Sequence, residues 1–320
     1  MVPRRSPPRA RVISAGSATA GAARAQKSAT AAAAGSRLPY RRAVRRVVIA
    51  MAKLLPIVLG AGAVAVAMLW FLRHWLTYAD LEGSNPEVGN YLQTVGTIYA
   101  VLLAFVVSAV WGQFNEARSV VEREATEVVD LFRIIDGFRT GPRAPLHRGL
   151  SRYLDAVIAD EWRAMAKGDE EAIERIGAEL DVVWAGLHCF DPSTDCERSL
   201  HAEALSRFND LSDARTARLT AARVRMPLGL RMLLYAGAFV MTASMFLLGV
   251  ESFAIHAVIT GAFAAAISHV LYLVEDLDDA FSGLWQVSTA PFERARRHVR
   301  AAMAAGEDHA PLCPLPGTED

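Results

Sequence analysis

Four long apolar segments constrain this chain more than any other feature of its sequence. They run from Leu54 to Leu72, from Tyr91 to Trp111, from Leu228 to Gly249 and from Phe253 to Val274. Each is close to the roughly 20 residues that an α-helix needs to cross a bilayer. Only Arg231 is a formal charge inside them, and its side chain can reach the membrane surface. The pattern predicts an all-α integral membrane protein with four transmembrane helices.

The positions of Lys and Arg predict how these helices are oriented. No Asp or Glu precedes Asp80, whereas twelve Lys or Arg lie within the first 53 residues. Arginines also follow the second span, precede the third and follow the fourth, and the turn between spans three and four has none. Because Lys and Arg remain on the cytoplasmic side, we expect a multi-pass protein of the inner (plasma) membrane. Both termini and the large central loop are expected in the cytoplasm.

These features divide the chain into five parts. Residues 1–46 are expected to be a disordered basic tail, because they contain few large apolar side chains. A tether to anionic lipids and an organellar transit peptide are the alternatives for this tail. Residues 47–111 hold transmembrane helices 1 and 2, residues 112–227 a cytoplasmic helical domain with a stalk that continues helix 2, and residues 228–274 helices 3 and 4. Residues 275–320 form a cytoplasmic C-terminal segment, disordered from about residue 304.

The stalk is predicted from the spacing of its apolar residues. They recur at steps of three and four, which is typical of one face of an α-helix: Phe114, Ala117, Val121, Ala125, Val128, Phe132 and Ile135. No Pro or Gly lies between Gly112 and Gly137. Span and stalk are therefore predicted to form one rod from about Tyr91 to Asp136. Further helices are expected over 146–167, 170–187 and 198–225. Two cysteines, Cys189 and Cys196, flank the turn before the last of these and are expected to be reduced thiols.

The second span carries a ladder of small residues and a separate set of candidate pore residues. The ladder is Gly96, Ala100, Ala104, Ser108 and Gly112. Small residues let another helix approach closely, so the ladder indicates helix packing in lipid, and a pore wall kept wide by small side chains is the alternative. If the ladder packs, another face lines the pore: Thr94, Thr97, Val101, Phe105 and Ser108. Val101 and Phe105 would then form an apolar ring that gates by dewetting, although contact with lipid or core is the alternative for Phe105.

Four carboxylates follow the fourth span within five positions: Glu275, Asp276, Asp278 and Asp279. Calcium prefers several oxygen ligands, so this cluster is a candidate metal site, although its spacing is not that of an EF-hand. The alternative is a charged helix end, in which Asp278 or Asp279 caps another helix near Phe281 or Ser282. His269, near the inner end of the same span, is an ionisable group in the membrane and a second candidate.

Two stretches together resemble the bestrophin-like family of bacterial membrane proteins. In residues 91–133, a span that ends in an aromatic residue runs into a helix with an "REA" core, here Arg123 to Ala125. In residues 273–295, Ala280 to Gly283 and Val287 to Phe292 are similar to two short motifs that follow the fourth span in that family. The family has proline where this chain has Ala280. The resemblance covers roughly residues 50–300.

The resemblance implies a relation to the bestrophins, which are pentameric anion channels with four spans per subunit and a pore lined by the second span. Eukaryotic bestrophins also place a calcium-sensing acidic cluster after the fourth span, where Glu275 to Asp279 lie here. The expected function is therefore an oligomeric anion channel, which would be a pentamer if it assembles as the bestrophins do. Its expected partners are the lipid bilayer, copies of itself and inorganic anions. The alternative is a non-conducting scaffold or sensor whose cytoplasmic helices bind a partner.

The chain contains no motif that predicts catalysis. Walker, dinucleotide-binding, HExxH and GxSxG patterns are all missing from the sequence. We therefore expect no enzyme and no cofactor, with calcium as the open alternative. A basic face is predicted before the third span and is expected to meet phospholipid head groups rather than nucleic acid: Arg215, Arg218, Arg223 and Arg225.

Overall fold

The computed structural model describes residues 52, 54–75 and 81–305. The chain divides into two units, Met1–Pro56 and Ile57–Asp320, and the features below belong to the second. The predicted disordered tail, residues 1–46, and the chain after residue 305 lie outside the described residues.

All regular elements of the described part are helical. They are α1 Leu54–Trp75, α2 Asn85–Asp136, α3 Thr140–Ala156, α4 Trp162–Lys167, α5 Glu170–His188, α6 Asp195–Arg223, α7 Leu228–Phe246, α8 Phe253–Asp278 and α9 Ala290–Ala305. One π-helical turn, Val157–Glu161, joins α3 to α4. By length and composition, four helical segments can cross a membrane: α1, α2, the stretch that contains α7, and α8. The all-α fold with four membrane helices is therefore confirmed.

Helix α2 joins the membrane part to the stalk without a break. It has 52 residues, which corresponds to about 78 Å. It begins at Asn85, six residues before the predicted start, because Pro86 in the first turn costs no helical hydrogen bond. It ends before Gly137, as the loss of the apolar pattern predicts.

Two apolar clusters share α2. In the membrane part, Tyr99, Val106 and Val110 of α2 pack with side chains of α7 and α8, among them Leu234 and Val274. In the stalk, the predicted apolar stripe lies in a second cluster with α3, α5, α6 and α9. Every stripe residue except the half-buried Phe114 is buried. The same helix is thus held by membrane packing at one end and by a helical core at the other.

The contact between α2 and α7 is close because one residue lacks a side chain. A Cβ at Gly237 would lie 2.5 Å from the ring of Tyr99. The Tyr99 hydroxyl donates to the carbonyl of Leu234 at 3.1 Å. Ring packing and the hydrogen bond together fix the height of α2 against α7.

The short turn between α7 and α8 is tied to the start of α2. Asn85 donates through Nδ2 to the carbonyl of Gly249 at 2.9 Å and accepts from its N–H at 2.7 Å. A Cβ at Gly249 would lie 2.6 Å from the backbone nitrogen of Glu82. Arg73 of α1 donates to the carbonyl of Val250. These contacts therefore link the end of α1 and the start of α2 to the backbone of the turn between α7 and α8.

The helices between the second and third membrane segments differ from the prediction mainly at their starts. Helix α3 begins at Thr140, ahead of the predicted residue 146, although it contains Pro145. Helix α6 begins at Asp195, where Thr194 accepts from the N–H of Glu197 at 3.2 Å. Cys189 is an exposed free thiol, as expected, whereas Cys196 is disulfide-bonded. The two cysteines are therefore not joined to each other, and the expected reduced state is wrong for Cys196.

Candidate functional site

The candidate pore residues share the side of α2 that faces away from its own chain. Thr94, Thr97, Val101, Phe105 and Ser108 are all exposed. Phe105 is 72% and Val101 51% exposed, which is unusual for large apolar side chains unless lipid, a lumen or another chain covers them. At 3.6 residues per turn, this set lies opposite the buried face of the same helix. We call this side of α2 the open face.

Most of the ladder of small residues is exposed as well. Ala100, Ala104, Ser108 and Gly112 are exposed, and a Cβ at Gly112 would meet open space. Gly96 differs, because a Cβ there would lie 3.1 Å from Met241 Cε. A four-residue step turns the ladder by about 40° per rung, so it crosses from the buried side at Gly96 to the open face at Ser108. Among the residues that the structure describes, the first rung is the one that packs against another helix of the same chain.

The open face continues along the stalk and becomes charged there. Arg123 follows Phe105 by eighteen residues, about five full turns, so the two side chains lie on the same side of α2. Glu116 lies about two turns before Arg123 on that side. Both are exposed, and neither forms an ion pair with any residue that the structure describes. From the membrane part towards the stalk, the open face thus presents the apolar Phe105, then the acidic Glu116 and then the basic Arg123.

A buried ionic cluster supports the opposite side of the stalk. Arg218 of α6 donates through Nε to Glu124 Oε2 and through Nη2 to Glu161 Oε2, both at 2.6 Å. All three side chains are fully buried. Tyr153 of α3 donates its hydroxyl to Glu124, and the Arg218 guanidinium lies 5.8 Å from the ring centre of Trp162. The guanidinium therefore joins α6 to α2, and Tyr153 joins α3 to the same carboxylate of α2.

The π-helical turn supplies the second carboxylate of this cluster. Glu161 is its last residue, and π-turns commonly mark places where a side chain has a special role. Arg215 also binds Glu161 and donates to the carbonyl of Ile173 at 2.9 Å. Two carboxylates thus face two guanidinium groups, so the buried cluster carries no net charge. The predicted basic, lipid-facing surface is wrong for Arg215 and Arg218, because both side chains are paired inside the protein.

The environment of the cluster favours the protonated forms of Arg218 and Tyr153. Burial opposes the charge of Arg218, but Glu124 and Glu161 outweigh it and raise its pKa well above the ordinary value. Burial, reinforced by Glu124, raises the pKa of the Tyr153 hydroxyl well above its ordinary value. Both groups therefore remain hydrogen-bond donors to the carboxylates.

A buried histidine of α3 makes stability depend on pH. His147 stacks on Phe132 with ring centres 3.9 Å apart and donates through Nε2 to its carbonyl at 3.2 Å. Burial lowers the pKa of His147 below its ordinary value, so the folded state favours the neutral ring. The unfolded chain binds the proton more readily, and the stabilisation is lost as the pH falls below about 6.5.

We therefore expect the melting temperature to drop between pH 7.5 and pH 5, and to drop less in a His147→Phe variant that keeps the stack on Phe132. Thermal unfolding in detergent at a series of pH values measures this. His298→Asn is the control, because His298 is exposed on α9 and its replacement should leave the slope unchanged. Equal slopes in all three proteins would contradict the role of His147.

Each of the four carboxylates after the fourth span binds groups of the protein itself. Asp276 accepts from the N–H groups of Leu284 and Trp285, both at 2.8 Å. Asp278 accepts from the N–H of Met226 at 2.7 Å and from Arg231 at 2.8 Å. Among the described residues, no group of three His, Cys, Asp or Glu side chains could hold a metal ion. The calcium site stays a prediction, and this arrangement does not favour it.

The other two acids bind groups near the end of the fourth span. Glu275 pairs with Arg231 at 3.1 Å, and Arg231 pairs with Asp278 as well. Asp279 accepts from the N–H of Ser282 at 3.2 Å, which caps a turn. The helix predicted near Phe281 is therefore wrong, and α9 begins only at Ala290.

A buried membrane histidine was missed from the sequence. His256 of α8 is 1% exposed and donates through Nε2 to the carbonyl of Met245 at 2.8 Å. Its Nδ1 and the hydroxyl of Thr260, one turn further, have no hydrogen-bond partner among the described residues. A histidine inside an apolar span is itself the signal. His269, the histidine predicted as a candidate, is half-buried.

Comparison with known proteins places this arrangement in a family. Residues 59–292 match the family model described as Bestrophin-like domain. A comparison with curated protein sequences gave no significant match. Among solved structures, a bacterial bestrophin homologue from Klebsiella pneumoniae is similar at 13% identity, with 81% of this chain and 100% of that chain covered and a TM-score of 0.56.

Two point variants of that homologue give the same result. One has 13% identity, covers 80% of this chain and 98% of that chain, and has a TM-score of 0.59. The other has 14% identity, covers 78% and 99%, and has a TM-score of 0.56. Identities this low show a shared fold alone, whereas the family model spans most of the sequence and confirms the predicted resemblance. The chain belongs to the Bestrophin-like family.

Proposed function

We propose that this membrane protein is a subunit of an oligomeric anion channel, and that the open face of α2 lines its lumen. The observation that carries the proposal is the exposure of Val101 and Phe105 on the side opposite the intrachain packing. Thr94 and Thr97 lie on the same side and donate to backbone carbonyls one turn earlier, at 3.0 and 2.7 Å. Their hydroxyl groups therefore have hydrogen-bond acceptors whether or not the lumen contains water.

The continuity of α2 supports a lumen rather than a lipid-facing surface. The open face carries exposed polar side chains along the stalk, including Ser119, Arg123 and Thr126. A helix that faced only lipid would need no polar stripe in register with its apolar one. Both the apolar and the polar part of the open face are accounted for by a lumen that is narrow at Val101 and Phe105 and becomes wider and water-filled along the stalk.

Several copies are needed to close such a lumen. Ala100 and Ala104 are exposed in the single chain, and small residues allow helices of neighbouring subunits to approach closely. We propose that these rungs pack between subunits of a homo-oligomer. The resemblance to bestrophins supports a pentamer, and the chloride ion is the simplest anion for a test.

Chloride flux from liposomes tests the proposal. We expect purified protein to release chloride, and Phe105→Ala to raise the flux several-fold, because the variant widens an apolar constriction that resists wetting. Phe239→Ala is the matched control, since Phe239 of α7 is 74% exposed but does not lie on α2. Absence of chloride flux from both the wild type and Phe105→Ala, in preparations shown to be oligomeric, would contradict the proposed channel.

The alternative function, a scaffold or sensor, predicts an apolar docking patch on the helices between residues 146 and 225. The large apolar side chains exposed there, among the described residues, are Val182, Trp184 and Val224. Trp184 packs on Phe208 with ring centres 5.2 Å apart, so it is partly covered. The larger exposed apolar surface lies on α2, and this favours the channel.

A further inference from the structure

A groove between α1, α7 and α8 runs along the membrane part of the protein. Its volume is about 540 Å³. Val64, Met68 and Phe239 form exposed apolar walls, while Ala61 and Ala243 leave the space between them. In a bilayer, a groove of this kind matches the shape and chemistry of an acyl chain.

One end of the groove is polar and carries a carboxylate with an unused oxygen. Tyr235 donates its hydroxyl to Glu275 Oε1 at 3.2 Å, and Arg231 Nε lies 3.1 Å from the same oxygen. Glu275 Oε2 has no hydrogen-bond partner within the part of the chain that the structure describes. The side chain is 33% exposed. A carboxylate oxygen can only accept, so this position requires a donor from outside the protein or water.

The charge at this end selects the kind of donor. Arg231 faces two carboxylates, Glu275 and Asp278, so the group carries one excess negative charge. It would repel a head group that carries only a phosphate, and it would attract a cation. A primary ammonium supplies three N–H donors, whereas a trimethylammonium supplies none.

We propose that this groove binds a membrane phospholipid whose head group carries a primary amine. The ammonium donates to Glu275 Oε2, and one acyl chain lies along the groove against Met68 and Phe239. The site is separate from the open face of α2 and does not depend on ion conduction.

Native mass spectrometry of the delipidated full-length protein tests this site. The probes are phosphatidylethanolamine, phosphatidylcholine and phosphatidylglycerol with identical acyl chains. We expect phosphatidylethanolamine to bind on the order of tenfold more tightly than the other two, and Glu275→Gln to abolish this preference. Glu251→Gln, an exposed acid at the opposite end of α8, is the control and should keep it.

Two results would overturn the proposal. One is equal binding of the three lipids, and the other is a preference that persists in Glu275→Gln. If Glu275→Gln does not fold, Ala243→Phe fills the groove without touching the polar end, and tight phosphatidylethanolamine binding should then be lost. A cryo-EM map with a helix of a neighbouring subunit in the groove would also overturn it.

Discussion

Arg218→Met is expected to lower the free energy of unfolding by about 3–5 kcal/mol, the usual cost of removing one partner from a buried ionic group. The variant leaves Glu124 buried without its guanidinium, and Glu161 keeps only Arg215. Chemical or thermal unfolding in detergent measures the loss. Because these groups join α2, α3 and α6, we also expect the proposed oligomer to dissociate more readily.

A double variant separates the effect of the unpaired buried charge from the effect of losing the arginine side chain. Arg218→Met combined with Glu124→Gln restores neutrality, since Glu161 and Arg215 remain a pair and Tyr153 can still donate to the amide oxygen. The double variant should therefore recover most of the lost stability. Arg223→Met is the matched control, because its pair with Glu170 is exposed and should be worth less than about 1 kcal/mol. An Arg218→Met loss as small as the control's would contradict the buried cluster.

Arg123→Glu is expected to reduce the permeability of chloride relative to sodium on the order of tenfold. This follows from the proposed channel, in which each subunit would contribute one unpaired Arg123 to a ring at the cytoplasmic part of the lumen. Rings of charged side chains select ions of opposite sign. Reversal potentials in planar bilayers under a salt gradient measure the ratio directly.

Two further variants on the same helix test this assignment, one on the open face and one off it. Glu116→Gln removes the unpaired acid of the open face and should raise the chloride preference. Arg118→Glu makes the same charge change as Arg123→Glu, but Arg118 lies about 140° away around α2 and is paired with Glu122 at 3.8 Å. It should change the ratio far less. Conducting channels in which all three variants behave alike would contradict the placement of Arg123 in the lumen, without touching conduction itself.

The helices of this chain could be predicted from sequence because their signals are local. The apolar period from Phe114 to Ile135 requires only neighbours three and four residues apart, and the structure buries that stripe. The apolar spans were visible for the same reason. Their ends were less well predicted, since Pro86 and Pro145 are compatible with helix at the positions they occupy.

The supporting cluster could not be predicted, because its members are far apart in the chain. Glu124 and Arg218 read as ordinary surface charges, and only the packing of α6 against α2 brings them together. The π-turn that presents Glu161 leaves no simple sequence pattern. The proposed lumen would lie between chains, so the sequence indicates which side of α2 is open without indicating the surface that faces it.

The order of synthesis gives the buried cluster a further consequence. Arg218 follows Glu124 by 94 residues, so at about 5–20 residues per second the ribosome delivers it about 5–20 s later. During that interval α2 already occupies the membrane, while its stalk exposes an apolar stripe and a carboxylate that has no counter-ion. The newborn chain is most open to aggregation and proteolysis in this window, which closes when α6 leaves the ribosome.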